Sequence, residues 1–149
     1  ADHDADAAIP VEDLYALYVC LIDGGYDMVI ASRFEHKNPA AVRIPLHRFL
    51  LGRIYAALCR PLVPGIRDCS CGCKVYRGDV ARALFRCQRI DGFAHDVEIV
   101  HCALQMKFRI KEVPVRCVME LRGSKVNVVR DSRRMFVDTL RLYWRHFRR

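Results

Sequence analysis

The sequence contains no long hydrophobic run, and its longest unbroken one covers only nine residues, 14–22. A helix that crosses a bilayer needs roughly 20 apolar residues, so we expect neither a membrane-spanning segment nor a signal peptide. Glycine and proline are scarce, at 8 and 6 of 149 residues, while 52% of the residues are hydrophobic. This composition excludes collagen-like, low-complexity and disordered chains and fits one ordinary domain.

A recognisable disulfide or zinc pattern is also missing, although the chain has eight cysteines. Five of them stand singly among apolar residues, as small buried thiols do, and we therefore predict reduced cysteines in a cytosol-facing protein. The other three are Cys69, Cys71 and Cys73. Zinc sites use C-x₂₋₄-C spacing with a second ligand pair elsewhere, so this run matches poorly. In an extended segment the three thiols would share one face.

Positive charge is concentrated at the C-terminal end. Of the net charge of +8, residues 121–149 supply +7, from nine Lys and Arg against two Asp. A basic tail of this kind can bind nucleic acid, an anionic membrane face or a phosphorylated substrate. Its last helix either lies in a membrane interface or packs on the domain. The predicted apolar face of that helix consists of Phe136, Leu140, Tyr143, Trp144 and Phe147.

Helical and extended patterns alternate along the chain, which predicts an α/β layer fold. Gly24 and Gly25 end a first helix that begins at Pro10, and Pro114 predicts an edge or bulge in the last strand. We divide the chain into a main domain, 1–130, and a basic amphipathic helix, 131–149. The further predicted helices are 44–60, 78–87, 96–106 and 131–147, and the predicted extended segments are 26–31, the end of 68–76, and 108–118.

Two aspartates near the beginning form a D-x-D pair, Asp4 and Asp6. Carboxylates two positions apart at the end of a strand point the same way and can share one ion. Mg²⁺ and Mn²⁺ prefer such oxygen ligands and often bridge them to phosphates. The pair is therefore a candidate metal site, with a solvated terminus as the ordinary alternative.

Three further acidic residues are candidates for chemistry. Asp68 follows Arg67 on a loop that leads into a strand, where a carboxylate can act as a general base or form a structural pair with the arginine. Asp96 and Glu98 open a helix, where acidic residues are favoured by the helix dipole, so capping is their alternative role.

Several cations and polar side chains are candidate phosphate ligands. Arg33 directly follows the strand 26–31, which places a planar guanidinium at a sheet edge where a phosphate can sit. Arg43, Ser124 and Lys125 are further candidates, and each of them alone would be an ordinary surface residue.

Four segments carry a family resemblance when they are taken in order: Asp-Ala-Asp at 4–6, Gly-Ile-Arg-Asp-x-x-Cys-Gly-x-Lys at 65–74, Gly-Phe-Ala-x-Asp-Val-Glu-Ile at 92–99 and Gly-Ser-Lys-Val at 123–126. With them the chain resembles the family 2 inverting glycosyltransferases of GT-A fold, over nearly its whole length. Within that family it is most similar to the dolichyl-phosphate β-glucosyltransferases, and the polyprenyl-phosphate mannosyltransferases are close. The resemblance implies the C-terminal part of a Rossmann-like GT-A domain with a mixed sheet.

The resemblance also implies a reaction, in which glucose moves from UDP-glucose to dolichyl (polyprenyl) phosphate with inversion at the anomeric carbon. Asp4 and Asp6 would hold Mg²⁺ or Mn²⁺ beside the leaving UDP, and Asp68 stands where the family has an acidic residue near the acceptor. Arg33 and Arg43 would bind donor or acceptor phosphate. The remaining substrate-binding residues implied by the motifs are Asp96, Glu98, Ser124 and Lys125.

The implied setting is a membrane surface: the cytosolic face of the endoplasmic reticulum in a eukaryote, or otherwise the cytoplasmic face of the plasma membrane. The family's nucleotide-binding half would precede the D-x-D pair and is not in the sequence, so we expect a fragment that is inactive alone. Cys73 and His95 replace positions that are usually aromatic in the family. The alternatives are a mannosyltransferase-like enzyme and a non-catalytic module that binds membranes or nucleic acid, although the resemblance predicts no nucleic-acid partner.

Overall fold

The structure, a computed structural model, describes residues 9–32, 46–115 and 128–147, and for 46–49, 128–131 and 146–147 the backbone alone. The described residues form five helices and three strands, in the alternating order that the sequence predicts. These are α1 (Val11–Asp23), β1 (Met28–Ser32), α2 (Leu46–Cys59), β2 (Lys74–Tyr76), α3 (Gly78–Cys87), α4 (His95–Gln105), β3 (Ile110–Pro114) and α5 (Val128–Phe147). None of these helices, over the described residues, is long and apolar enough to cross a membrane.

The three strands form one mixed sheet in the order β2-β1-β3. β1 runs antiparallel to β2, with Val29 opposite Val75, and parallel to β3, with Ile30 opposite Glu112. Pro114 ends β3 on an edge of the described sheet, as its missing N–H predicts. This arrangement confirms the predicted α/β class and the mixed sheet.

The side chains of β1 alternate between two apolar cores. Met28 and Ile30 belong to the core that α2, α3, α4 and α5 complete. Val29 and Ala31 belong to a second core, which contains two buried leucines of α1. Because successive side chains of a strand point to opposite faces, α1 covers one face of the sheet and the other four helices cover the opposite face.

Helix α5 packs on the rest of the chain through one of its sides. Leu142 lies in the core, Tyr143 donates a hydrogen bond to the carbonyl oxygen of Leu58, and the Tyr55 and Thr139 hydroxyls are 3.2 Å apart. Both polar contacts join the C-terminal half of α2 to the C-terminal half of α5.

The predicted apolar face of α5 is divided by this packing. Tyr143 is partly buried against the core, whereas Phe136, Leu140 and Trp144 are 50%, 46% and 59% exposed. The side chain of Phe147 lies outside the described residues. Packing on the domain is therefore confirmed for one side of the helix, and the division of the chain at residue 130 stays a prediction.

The three alternating cysteines are buried, but they do not share one face. Cys69 lies in the core with α2 to α5, while Cys71 and Cys73 lie in the core with α1. The segment turns after Asp68, whose carbonyl oxygen accepts a hydrogen bond from the N–H of Cys71 at 3.4 Å. The expectation of one shared thiol face is wrong because the segment is not extended there.

Candidate active site

The loop between α2 and β2 carries Asp68 and is fixed to the edge strand β3. The backbone N–H groups of Arg67 and Asp68 donate hydrogen bonds to the carboxylate of Glu112, with N···O distances of 3.0 and 2.7 Å. Gly65 has a φ of 81° where the chain turns into this loop, a left-handed conformation that glycine adopts without strain. Asp68 itself is 1% exposed. Its backbone is held by the carboxylate of Glu112, which lies on another element.

The second attachment of this loop is a buried charge pair. Lys74 is fully buried, and its Nζ donates to the carbonyl oxygen of Cys71 and to Oδ1 of Asp96. A buried ammonium requires an opposite charge and hydrogen-bond acceptors, and Asp96 and Cys71 provide them. The pair joins the first turn of α4 to the end of the loop that carries Asp68, and Nε2 of His95 lies 3.5 Å from the same carboxylate oxygen.

Glu98 is also buried, at 1% exposure, and it connects three segments. Its Oε2 accepts hydrogen bonds from the backbone N–H groups of Arg89 and Ile90, at 2.9 and 2.8 Å. Its Oε1 lies 2.7 Å from Nη2 of Arg145 on α5. Residues two apart on a helix point about 200° from each other, so Glu98 and Asp96 leave α4 on nearly opposite sides.

The pKa values of two cysteine thiols depend on the hydrogen bonds and charges around the loop. A hydrogen bond between Cys59 and Cys69 lowers the pKa of Cys59. The same bond raises the pKa of Cys69, and so does burial. The negative charge of Asp68 raises the pKa of Cys69 further, while the positive charge of Lys74 opposes the rise. Asp68 and Lys74 are therefore close enough to act on one sulfur atom.

The structure describes three of the residues that the sequence predicts for the site. It brings the loop of Asp68 together with Asp96 through Lys74, and it places Glu98 toward α5. The metal ligands and the remaining substrate ligands lie outside the described residues, and their roles stay predictions. They are Asp4, Asp6, Arg33, Arg43, Ser124 and Lys125.

Three residues that matter for this region received no role from the sequence. Glu112 contacts a loop 44 residues away, which no local pattern indicates. The sequence does contain a signal for Lys74, because a lysine between the apolar residues at 73 and 75 of a buried strand needs an oppositely charged partner. The hydroxyl of Ser32 is buried, has no hydrogen-bond partner among the described residues, and directly precedes Arg33.

The comparison with family models gives no match, but curated proteins are similar to the chain. A dolichyl-phosphate beta-glucosyltransferase of Trichomonas vaginalis is 30% identical over an alignment of 129 residues, which covers 84% of this chain and 39% of that protein. The Drosophila melanogaster protein of the same name is 33% identical over 131 residues, 83% of this chain and 39% of that protein. The one from Dictyostelium discoideum is 36% identical over 84 residues, 56% of this chain and 25% of that protein.

The chain thus spans about two fifths of the length of the Trichomonas and Drosophila relatives and a quarter of the Dictyostelium one. Similar proteins of the same name thus occur in three organisms, and two of the three alignments cover more than 80% of this chain. With the mixed α/β sheet, these matches support a relative of the family 2 GT-A kind.

Proposed function

We propose that this relative of the dolichyl-phosphate beta-glucosyltransferases forms part of a hexosyltransferase that moves glucose from UDP-glucose to dolichyl phosphate. The observation that supports the proposal most is the anchoring of the loop that carries Asp68. Glu112 holds one end of that loop, and the buried pair of Lys74 and Asp96 holds the other. A simple connection between two elements needs neither contact, whereas a reacting group must be held in place.

In the proposed reaction an oxygen of the acceptor phosphate attacks the anomeric carbon, and the bond from that carbon to the UDP oxygen breaks. The acceptor is already anionic, so no strong base is needed. We assign Asp68 to orient the acceptor by accepting a hydrogen bond from a proton that the phosphate still carries. Arg33 and Arg43 are the proposed phosphate ligands, since guanidinium groups bind phosphate through two parallel hydrogen bonds.

The remaining candidate residues have two different proposed roles. Asp96 and Glu98 are proposed to position the site without touching substrate, since their carboxylates hold Lys74 and the 89–90 turn. Ser124 and Lys125 are proposed to contact substrate directly.

We also propose that Asp4 and Asp6 hold Mg²⁺ or Mn²⁺. Their carboxylate oxygens are the ligands that these cations prefer. When bound, the ion supplies positive charge beside the diphosphate leaving group. The proposed acceptor is a membrane lipid, so the proposed place of action is a membrane face, in a eukaryote the cytosolic face of the endoplasmic reticulum.

The proposal is tested by a chimera, in which this chain replaces the matching segment of the Drosophila relative. We expect the chimera to transfer glucose from UDP-glucose to a short-chain dolichyl phosphate, and to transfer mannose from GDP-mannose much more slowly. Asp68→Asn in the chimera is expected to lower kcat about a hundredfold with little change in the KM for UDP-glucose. Asp23→Asn, an exposed substitution of the same kind, is the control.

Two results would contradict the proposal. A chimera that has native circular dichroism and binds UDP-glucose, but transfers no glucose, would reject the assigned reaction. Full turnover in the Asp68→Asn chimera would remove Asp68 from the site.

A further inference from the structure

A basic groove of about 450 Å³ lies between the 89–91 turn and α5. Two of its arginines are neutralised locally, because Arg141 pairs with Asp138 at 2.8 Å and Arg145 pairs with Glu98. Arg89 and Arg134 are exposed. The lining consists of four arginines, two aspartates, an isoleucine and a tryptophan: Arg89, Arg134, Arg141, Arg145, Asp91, Asp138, Ile90 and Trp144.

Within the described part of the chain, the guanidinium groups of Arg89 and Arg134 form no ion pair with a carboxylate. Asp91 is the one acidic residue of the lining that remains against these two arginines, so the groove keeps a net positive charge. The groove therefore offers guanidinium hydrogen-bond donors to an anion from outside the chain.

An exposed apolar stripe runs along α5 beside this groove. Phe136, Leu140 and Trp144 are spaced four residues apart and are each about half exposed, with Val137 next to them. At about 100° per residue, the stripe adjoins the flank of the helix that carries Arg134 and faces the groove. Trp144 belongs to both features, since it also lines the groove.

The opposite side of α5 is occupied by the rest of the domain. Thr139 is fully buried and Leu142 is 3% exposed, and Tyr143 is held by Leu58. The stripe and the groove are therefore presented together while the helix stays docked, and no rearrangement is needed to expose them.

We propose that the groove binds the phosphate of an anionic phospholipid headgroup and that the apolar stripe enters the interface of the same bilayer. Arginines beside exposed aromatic and aliphatic side chains match a surface that is anionic at the level of the headgroups and apolar just below them. A soluble phosphate or a nucleic acid would engage the arginines and leave the stripe in water. The inference rests on the proposed function only for the presence of a membrane, and it does not involve sugar transfer.

The test uses the 149-residue chain and its single tryptophan, which lines the groove. The chain is expected to float with vesicles of phosphatidylcholine and phosphatidylserine. These vesicles are also expected to shift the fluorescence emission of Trp144 to shorter wavelength. Vesicles of phosphatidylcholine alone are expected to do this weakly. Raising the salt concentration is expected to release the chain, because surface charges are screened.

Two double variants with the same loss of charge make the test specific to the groove. Arg89→Ala with Arg134→Ala is expected to lower partition into phosphatidylserine vesicles about thirtyfold, since each arginine near an anionic bilayer contributes about fivefold. Arg82→Ala with Arg86→Ala, on exposed positions of α3, is expected to have a much smaller effect. All four positions are exposed, and circular dichroism checks that both variants fold.

Three results would overturn the inference. Equal losses in the two double variants would show a general charge effect. The same emission shift with inorganic phosphate and no vesicles would make the groove a site for a soluble anion. Tight binding of duplex DNA with a steep salt dependence and the same loss in the groove variant would make the partner a nucleic acid. Because no sugar donor is present, failure here leaves the proposed glucosyl transfer untouched.

Discussion

A lysine ammonium that leaves water loses a large hydration free energy, and at Lys74 this loss is offset by the Cys71 carbonyl and the Asp96 carboxylate. The carbonyl lies three residues before Lys74 and the carboxylate 22 residues after it, so the charge pair fixes where β2 begins relative to α4. A buried pair of this kind determines the arrangement of its surroundings more than it adds net stability. It is therefore best probed by breaking it from each side.

We expect Lys74→Met and Asp96→Leu each to lower the free energy of unfolding by about 3–5 kcal/mol, because each leaves an uncompensated buried charge. The double variant is expected to lose much less than the sum, since both charges are then gone. Urea unfolding of the four proteins gives this coupling. Replacing the exposed pair of Arg77 and Asp79 is the control and is expected to show no comparable coupling, and additive losses at Lys74 and Asp96 would contradict the prediction.

Glu112 is the second residue whose removal has a defined local effect. Glu112→Ala leaves the N–H groups of Arg67 and Asp68 without their acceptor, which costs about 1–3 kcal/mol, while Glu112→Gln keeps an acceptor oxygen. We expect faster hydrogen exchange at these two amides in the alanine variant and nearly unchanged exchange in the glutamine variant. If the two variants exchange alike, Glu112 does not hold the loop.

At the scale of the elements, the sequence patterns place most helices to within a few residues. α3 has the predicted bounds, α4 is shifted by one residue, and α5 begins at Val128 instead of 131. The apolar pattern of α2 does not determine which side of this helix is buried. Leu50 and Ile54 of α2 are exposed, because apolar residues occur on more than one side of this helix and tertiary packing selects among them.

The end of α4 carries an identifiable strain. Lys107 has a φ of 59°, and the N–H groups of Lys107 and Phe108 donate to the carbonyl oxygens of Leu104 and Ala103. This helix-ending conformation favours glycine, and a side chain in it costs roughly 1 kcal/mol.

We therefore expect Lys107→Gly to raise the free energy of unfolding by about 0.5–1 kcal/mol, part of the strain being offset by the greater freedom of glycine in the unfolded chain. Thermal or urea unfolding measures the change. Lys111→Gly in β3 is the matched control and is expected to destabilise, and a loss of stability at Lys107 would contradict the prediction.

At the scale of the whole molecule, deprotonation of partly buried thiol and phenol groups at alkaline pH should weaken the fold. Burial, followed by nearby Cys87 and Glu98, raises the pKa of Cys102 from 9.0 to about 11, and burial also raises the pKa of Tyr55. The unfolded chain releases these protons at lower pH than the folded chain does. The contribution of Cys102 to stability is therefore complete below pH 9 and is lost as the pH rises through about 11.

We expect the free energy of unfolding, measured in urea at a series of pH values, to decline over this range. Cys102→Ala should make the decline shallower, because one of the titrating groups is removed. A free energy that stays constant or rises above pH 9 would contradict the assignment.

The molecule as a whole also shows why the candidate site was only partly predictable. Asp68 and Asp96 were found through motifs, but the residues that hold them, Glu112 and Lys74, act across contacts of 44 and 22 residues in sequence. The basic C-terminal helix had two alternatives in the sequence, a docked helix and an interfacial one. In the structure the helix is docked on the domain through one side, and its exposed apolar side can meet a membrane interface. Both alternatives are therefore compatible with the structure.

The carboxylate of Glu98 has a practical consequence for shortening this chain. One of its oxygens is satisfied by the 89–90 turn and the other by Arg145, near the last turn of α5. Trimming from the C-terminal end past this arginine would leave a charged oxygen inside the protein with its counter-ion deleted. Glu98 therefore limits how far α5 can be shortened from its C-terminal end.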